Sequence, residues 1–176
     1  VVEDLPFLAS RLKQEAEAGR FMGAVLVARG DRVLFRQTYG MANYERGQPM
    51  ALDTRFRLAS LSKQVTAAAI LRLQDQGVLS VDDPVCRWIQ PCPPQWSTMR
   101  IGNLISHTSG IPDIMARPGW GAARMTPKTP AQLTAESAAY SLSFAPGEKV
   151  SYNNAGFNLA GAIVEKASGK PYFDFL

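Results

Sequence analysis

Between Leu61 and Gln76 the chain runs without a glycine or a proline, and Gly77 stops it. Val65, Ala68, Ala69, Leu71 and Leu73 fall inside the run. The pattern predicts a helix whose first half is apolar almost all round, which in a globular chain means a buried helix. Other elements must therefore wrap around this one. Residues 4–18 place Leu5, Leu8, Leu12 and Ala16 on one stripe and end at Gly19, an amphipathic helix. Phe21–Ala28 and Val33–Tyr39 read as two strands joined by a tight turn at Gly30-Asp31, and Gly40–Thr54 reads as a looser segment. Asp82-Asp83-Pro84 caps and opens a short helix, and Thr98 caps another running to about Ser106. Residues 110–128, rich in Pro and Gly, predict a long loop. Thr129-Pro130 starts a helix to about Tyr140, Phe144–Asn154 is an exposed connection, and Ala155–Ala167 is helical to Gly169. Pro171 opens one more helix, which carries no cap before Leu176.

Two strands are few, because a lone hairpin is marginal in water. That, and the uncapped helix at Pro171, carry the expectation that a downstream portion exists, of ~150 residues for a domain of the usual size. The 176 residues are 46% hydrophobic and 19% charged, enough for one buried core. No run approaches the ~18 apolar residues of a membrane span. The segment Val1–Arg20 lacks the charged-then-apolar pattern of a signal peptide. The chain is thus expected to be cytosolic, or a mature form freed of its leader.

The net charge of +4 is scattered, densest at Arg29, Arg32 and Arg36 around one turn. A nucleic-acid footprint needs a continuous basic face, so no nucleic-acid partner is expected, although anionic substrates are favoured mildly. Cys86 and Cys92 are the only cysteines and His107 the only histidine, too few for a zinc site, and no metal or cofactor is expected. Unpaired thiols are the expectation for Cys86 and Cys92, since the nearby prolines restrict their geometry. A short-loop disulfide is the alternative in an exported protein.

Neither a Gly-x-Ser-x-Gly elbow nor a phosphate-binding glycine motif occurs. Ser-x-x-Lys occurs twice, about as often as chance allows, and context separates the copies. Ser10-x-x-Lys13 lies on a polar helix face beside Arg11, Gln14 and Glu15. Ser60-x-x-Lys63 lies where the apolar run Phe56–Leu61 enters the long helix. Positions i and i+3 share a helix face, so Lys63 can reach the Ser60 hydroxyl; Ser62 cannot, being adjacent. The helix N-terminus favours negative charge developing at Ser60, and an ammonium in a low-dielectric site loses basicity and can take the serine proton. The plainer account is that Ser60 merely caps the helix. Tyr152-Asn153-Asn154 is the second candidate. A phenol near a lysine relays protons, and a carboxamide presents both a donor and an acceptor; the plainer account is an ordinary turn. Ser106-His107-Thr108 ends a helix, and His107 reads as structural, a cation or donor at the helix C-terminus.

Together these segments resemble the serine β-lactamase and penicillin-binding superfamily, in the branch of class C β-lactamases, D-alanyl-D-alanine carboxypeptidases and family VIII carboxylesterases. The likeness rests on Phe56-Arg-Leu-Ala-Ser60-Leu-Ser-Lys63-Gln-Val-Thr-Ala, Leu79-Ser-Val-Asp-Asp-Pro84 and Ile105-Ser-His-Thr-Ser-Gly-Ile-Pro112. It continues in Phe144-Ala-Pro-Gly-Glu148 and Tyr152-Asn-Asn154-Ala-Gly-Phe. The resemblance implies an α+β fold, an antiparallel sheet flanked by helices plus a helical lobe, with residues 1–176 as the N-terminal portion of one catalytic domain. Its parts would be residues 1–58 (helix and first hairpin), 59–145 (mainly helical) and 146–176 (Tyr-x-Asn loop and following helices). It implies Ser60 as nucleophile, Lys63 and Tyr152 sharing the proton, Asn154 contacting the substrate amide, and the Ser60 N–H as half of an oxyanion hole. The substrate would be a β-lactam, a D-alanyl peptide or an ester, and the setting periplasmic or secreted. The family's third motif, Lys-Thr-Gly or His-x-Gly, belongs on a later strand, and Lys128-Thr129-Pro130 precedes Tyr152 and has a proline without an N–H. The chain alone is therefore expected to be inactive or nearly so, needing the missing portion in the same polypeptide, in a partner chain, or by exchange between copies. A non-catalytic penicillin- or ligand-binding domain of the same fold is the alternative.

Overall fold

The computed structural model describes residues 5–116, 118–123 and 125–176, so Asp4, where the predicted first helix begins, and Arg117 and Arg124 of the predicted long loop lie outside the described residues. The chain forms two units, one ending at Arg57 and one spanning Leu58–Leu176.

In the first unit, α1 (Leu5–Glu17) half-buries the predicted stripe Leu5, Leu8, Leu12 and Ala16. Strands β1 (Gly23–Arg29) and β2 (Arg32–Tyr39) pair antiparallel from Gly23↔Tyr39 to Arg29↔Arg32, with a bulge at Val27/Ala28. The turn is at Gly30-Asp31, as the sequence predicts. The looser segment contains a second small ladder, β3 (Met41–Asn43) with β4 (Gln48–Pro49). Strands of three and two residues are too short to show an alternation that sequence reading could detect.

The second unit is built around α6 (Asn154–Ser168), which buries Ala155, Gly156, Leu159, Ala160, Ile163 and Val164. These pairs recur every four residues, so one face of the helix is wholly apolar. Around it stand α2 (Ser62–Asp75), α3 (Ile101–Ile105), α5 (Pro130–Ala138) and α7 (Tyr172–Phe175). A Cβ on Gly156 would come within 3.2 Å of Leu104 O, so this glycine sets the close approach of α6 to α3. Trp96, Met99, Ile101, Leu104 and Val85 are fully buried beside it. Thr129 caps α5, its hydroxyl accepting from the Gln132 N–H while Gln132 reciprocates.

Four expectations are corrected. First, α2 is not buried all round. Thr66, Ala69, Ile70 and Leu73 are buried, whereas Leu61, Val65 and Leu71 are exposed. The buried residues form an i, i+3, i+4, i+7 stripe, and α2 packs against α6. Second, α3 starts after Arg100, not at Thr98: Pro84 and Arg100 form a β-bridge and the Val85 N–H donates to Met99 O, which keeps the chain extended there. Third, the segment 110–128 is not all loop, since it holds a 3-10 turn at Ile114–Ala116 and the short helix α4 (Trp120–Ala123). Fourth, Cys86 and Cys92 are joined in a disulfide. The 3-10 turn at Val85–Arg87 begins a reversal in which Trp88 and Ile89 both donate to Val85 O, bringing the two Cα atoms to 5.2 Å, inside the usual range. Among the described residues no helix is long and apolar enough to cross a membrane.

Candidate active site

Ser60 lies in a 3-10 turn, Ala59–Leu61, that leads directly into α2. Ala59 has φ +47°, a left-handed conformation that costs an alanine about 1 kcal/mol or more. From this turn the Ser60 hydroxyl faces solvent, and Lys63, one turn on and half-buried, donates from Nζ to Ser60 Oγ at 3.2 Å. The neighbouring Ser62 hydroxyl is spent on Ala59 O, 2.5 Å away, as expected for a residue that does not face the lysine.

Tyr152 arrives from a segment 92 residues away and shares a hydrogen with Ser60 at 2.5 Å between oxygens. A backbone rail brings it there. Ser143 N–H donates to Gly110 O, Gly147 N–H to Thr108 O, and Ser151 N–H to His107 O, at 2.8, 2.8 and 2.9 Å. Gly110, at φ +76°, permits this contact: a Cβ there would meet Phe144 O at 2.0 Å. The start of α6 fixes the two asparagines after Tyr152. Asn153 is the N-cap, buried, accepting from the Gly156 N–H at 2.6 Å and donating from Nδ2 to Ile111 O. Asn154 then turns inward, its Oδ1 accepting from Lys63 Nζ at 2.8 Å. Ser60, Lys63, Tyr152 and Asn154 thus form one connected cluster. Asn153, read from sequence as part of a turn, is the helix cap beside it.

The Lys63 side chain, first, and the Ser60 hydroxyl hold the Tyr152 phenol below the usual tyrosine range. Lys63 Nζ also stands 4.9 Å from the centroid of the Tyr152 ring. His107 packs between Tyr152 and Phe157, with ring centroids at 4.6 and 5.1 Å. Its Nδ1 accepts from the Asn153 N–H at 3.1 Å. Burial, then the charge of Lys63, pushes His107 below the usual histidine range. The expected cation or donor at a helix end is therefore corrected: the ring acts as a neutral acceptor. Nearby, the Ser106 hydroxyl donates to Gly102 O, satisfying a last-turn carbonyl as expected.

One member of the cluster escaped the sequence reading. Asp113 Oδ1 accepts from both the backbone N–H and the Nδ2 of Asn154, at 3.1 and 3.0 Å. Its place just after the Gly110-Ile-Pro112 run is one that any loop acid could hold. Among the described residues no three His, Cys, Asp or Glu side chains converge to hold a metal. A groove of about 810 Å³ lies elsewhere, between the Cys86–Cys92 loop, α5 and α6, lined by Trp88, Ile89, Pro130 and Lys166 among others. The titratable, hydrogen-bonded cluster at Ser60 is the better guide to chemistry.

A family model described as Beta-lactamase matches residues 8–176. The chain is 36% identical over 162 residues to a penicillin-binding protein of Bacillus subtilis (strain 168), covering 91% of this chain and 36% of that protein. It is 36% identical over 188 residues to esterase EstB of Burkholderia gladioli, covering 96% and 47%. A penicillin-binding protein from Bacillus halodurans, known from its crystal structure, superposes with a TM-score of 0.80 at 29% identity, over 92% of this chain and 51% of that one. The chain therefore spans about half, or less, of the length of these relatives.

Proposed function

This chain belongs to the β-lactamase family and has its α+β, β-lactamase/transpeptidase-like fold, and from that premise we propose that it carries the nucleophile of a serine hydrolase working through an acyl-enzyme. The observation that supports this best is the convergence of Lys63 Nζ and Tyr152 Oη on Ser60 Oγ, at 3.2 and 2.5 Å. In this reading Ser60 Oγ attacks a carbonyl carbon and its proton passes to Tyr152. The phenol held below its usual range by Lys63 and Ser60 favours Tyr152 as the immediate base, with the Lys63 ammonium stabilising the phenolate. Tyr152 then returns the proton to the leaving group, and water cleaves the ester in a second cycle. The Ser60 backbone N–H supplies one oxyanion donor.

The substrate is a small molecule or a peptidoglycan-type peptide: a β-lactam, a D-alanyl peptide or an ester. The penicillin-binding and esterase names of the relatives support that range. The Cys86–Cys92 disulfide supports a periplasmic or secreted setting. The second oxyanion donor comes from the family's third motif, outside this span, carried by the same polypeptide, a partner chain or an exchanged copy. Lys128-Thr129-Pro130 does not serve, since Thr129 and Pro130 cap and open α5 and Lys128 pairs with Glu136 at 2.5 Å. Without that motif the chain is inactive or nearly so.

The test is labelling with a fluorescent penicillin or a fluorophosphonate, applied to the chain extended through the rest of the family domain, with the adduct located by peptide mass. An adduct on Ser60, absent in Ser60→Ala, is expected. An adduct on Ser10 or Ser62 would overturn the assignment. Reversible penicillin binding with no mass shift would identify a non-catalytic binding domain of the same fold.

A further inference from the structure

Serine acylation asks for a hydroxyl, a base and an oxyanion site; it does not ask for an acid behind the carboxamide of Asn154. Yet Asp113 spends one oxygen on both Asn154 N–H groups, backbone and side chain. A carboxamide has one donating and one accepting end. With Nδ2 committed to Asp113, Oδ1 must point the other way, and it meets Lys63 Nζ at 2.8 Å. The flipped amide would set Oδ1 against a carboxylate and Nδ2 against an ammonium, two repulsive contacts in place of two attractive ones. We propose that Asp113 is the positioning residue that locks the orientation of the Asn154 carboxamide and, through it, holds the Lys63 ammonium beside Ser60. The proposal rests on the reading of Ser60 as nucleophile and deepens it.

The loop that presents Asp113 is itself tied down, because the buried Asn153 donates to Ile111 O, two residues earlier. The two asparagines at the head of α6 thus divide the work: Asn153 fixes the loop, and Asn154 takes its orientation from that loop and passes it to Lys63. The rival account is that Asp113 only satisfies an N–H at the start of α6. Such a cap would affect stability and nothing else. The two accounts separate through charge. Lys63, Asp113 and His107 all face Tyr152, and the Asp113 charge works to raise the phenol pKa.

The test compares Asp113→Asn, whose side-chain oxygen still accepts two hydrogen bonds, with Asp113→Ala, which has none. In the chain extended through the rest of the family domain, the rate of Ser60 modification by a fluorophosphonate is read against pH, and the Asn154 side-chain amide is followed by NMR. Asp113→Ala is expected to slow modification about tenfold, the size of one hydrogen bond to a charged group. Asp113→Asn is expected to keep most of the rate but to move the acid limb to lower pH, because the phenol loses a negative neighbour. In Asp113→Ala the Asn154 Nδ2 protons exchange freely with water, and in Asp113→Asn they move upfield. Rate losses that merely parallel lost thermal stability, with the acid limb unmoved in Asp113→Asn, would overturn the proposal. If wild type leaves Ser60 unmodified, the nucleophile reading fails, and the amide resonances still decide on Asp113: unchanged signals in both variants refute it.

Discussion

Replacing Gly110 by alanine tests whether the backbone rail delivers Tyr152 to Ser60. Two costs arise from the geometry. Alanine at φ +76° pays about 1–2 kcal/mol for the left-handed conformation. Its Cβ would also lie 2.0 Å from Phe144 O and 3.1 Å from Phe144 C, backbone atoms that cannot swing aside as a flexible side chain can. The segment 143–151 must then lift from 107–110, losing the Ser143–Gly110 and Gly147–Thr108 bonds. At about 1 kcal/mol each, these bring the loss to roughly 3–4 kcal/mol, a large share of an ordinary domain's 5–15 kcal/mol. Gly77→Ala is the control. Its φ is +70° but nothing lies within 4 Å of an added Cβ, so only the backbone cost of about 1 kcal/mol applies. Urea unfolding of both variants gives the difference as a shift in midpoint at constant m. In the chain extended through the rest of the family domain, labelling of Ser60 should fall with Gly110→Ala and survive Gly77→Ala. If the two variants lose equal stability, the close approach at Gly110 is not there and the account of how Tyr152 reaches Ser60 fails.

Tyr152→Phe keeps the ring packed on His107 but removes the hydroxyl 2.5 Å from Ser60, and should lower acylation by about 10²- to 10⁴-fold, read as the rate of covalent mass gain. The same variant should leave the urea midpoint nearly unchanged, since the side chain is 52% exposed. His107 has a folded-state pKa depressed below its ordinary 6.5, so the folded state takes up fewer protons than the unfolded one in acid. Its stability contribution is full above the unfolded pKa and is lost as pH falls through the folded value. Urea midpoints should therefore drop as pH falls through the ordinary histidine value of about 6.5 and below it, and His107→Asn should flatten that part of the drop; an equal drop in the variant would contradict the neutral-acceptor assignment. Reducing the Cys86–Cys92 bond, which closes a loop of sequence separation 6, should cost about 2 kcal/mol by loop-closure entropy and leave Ser60 labelling intact, checked by unfolding with and without a reductant.

Local signals carried most of the fold. The helices at 5–17, 62–75 and 154–168 and the first hairpin follow from periodicity and their Gly and Pro stops, and the structure shifts their ends by a few residues. What failed was tertiary. The apolar surface of α2 does not say which of its sides finds a partner, and Val65 and Leu71 proved to be exposed. Thr98 has the right chemistry for a cap, but the Pro84–Arg100 bridge claims the backbone there first. The prolines around Cys92 looked like an obstacle to pairing, while the turn at Val85 already brings the sulfurs together. In the site, Ser60 and Lys63 are neighbours by helical spacing alone. Tyr152 and Asn154 could be joined to them only through the resemblance, because contacts across about 90 residues leave no periodic trace. Asp113 left none either: a lone acid after a proline looks like any loop residue until its partner's amide is seen.

The left-handed step at Ala59 has a consequence for how this protein can change. The direction of the Ser60 hydroxyl is written into the main chain one residue earlier, and its aim survives most repacking of side chains around it. The same step keeps the region permanently off its energetic optimum, by the order of one weak contact. Substitutions that relax the peptide at 59 would make the molecule sturdier and the Ser60 oxygen less well directed, so robustness and aim pull in opposite directions at that one bond.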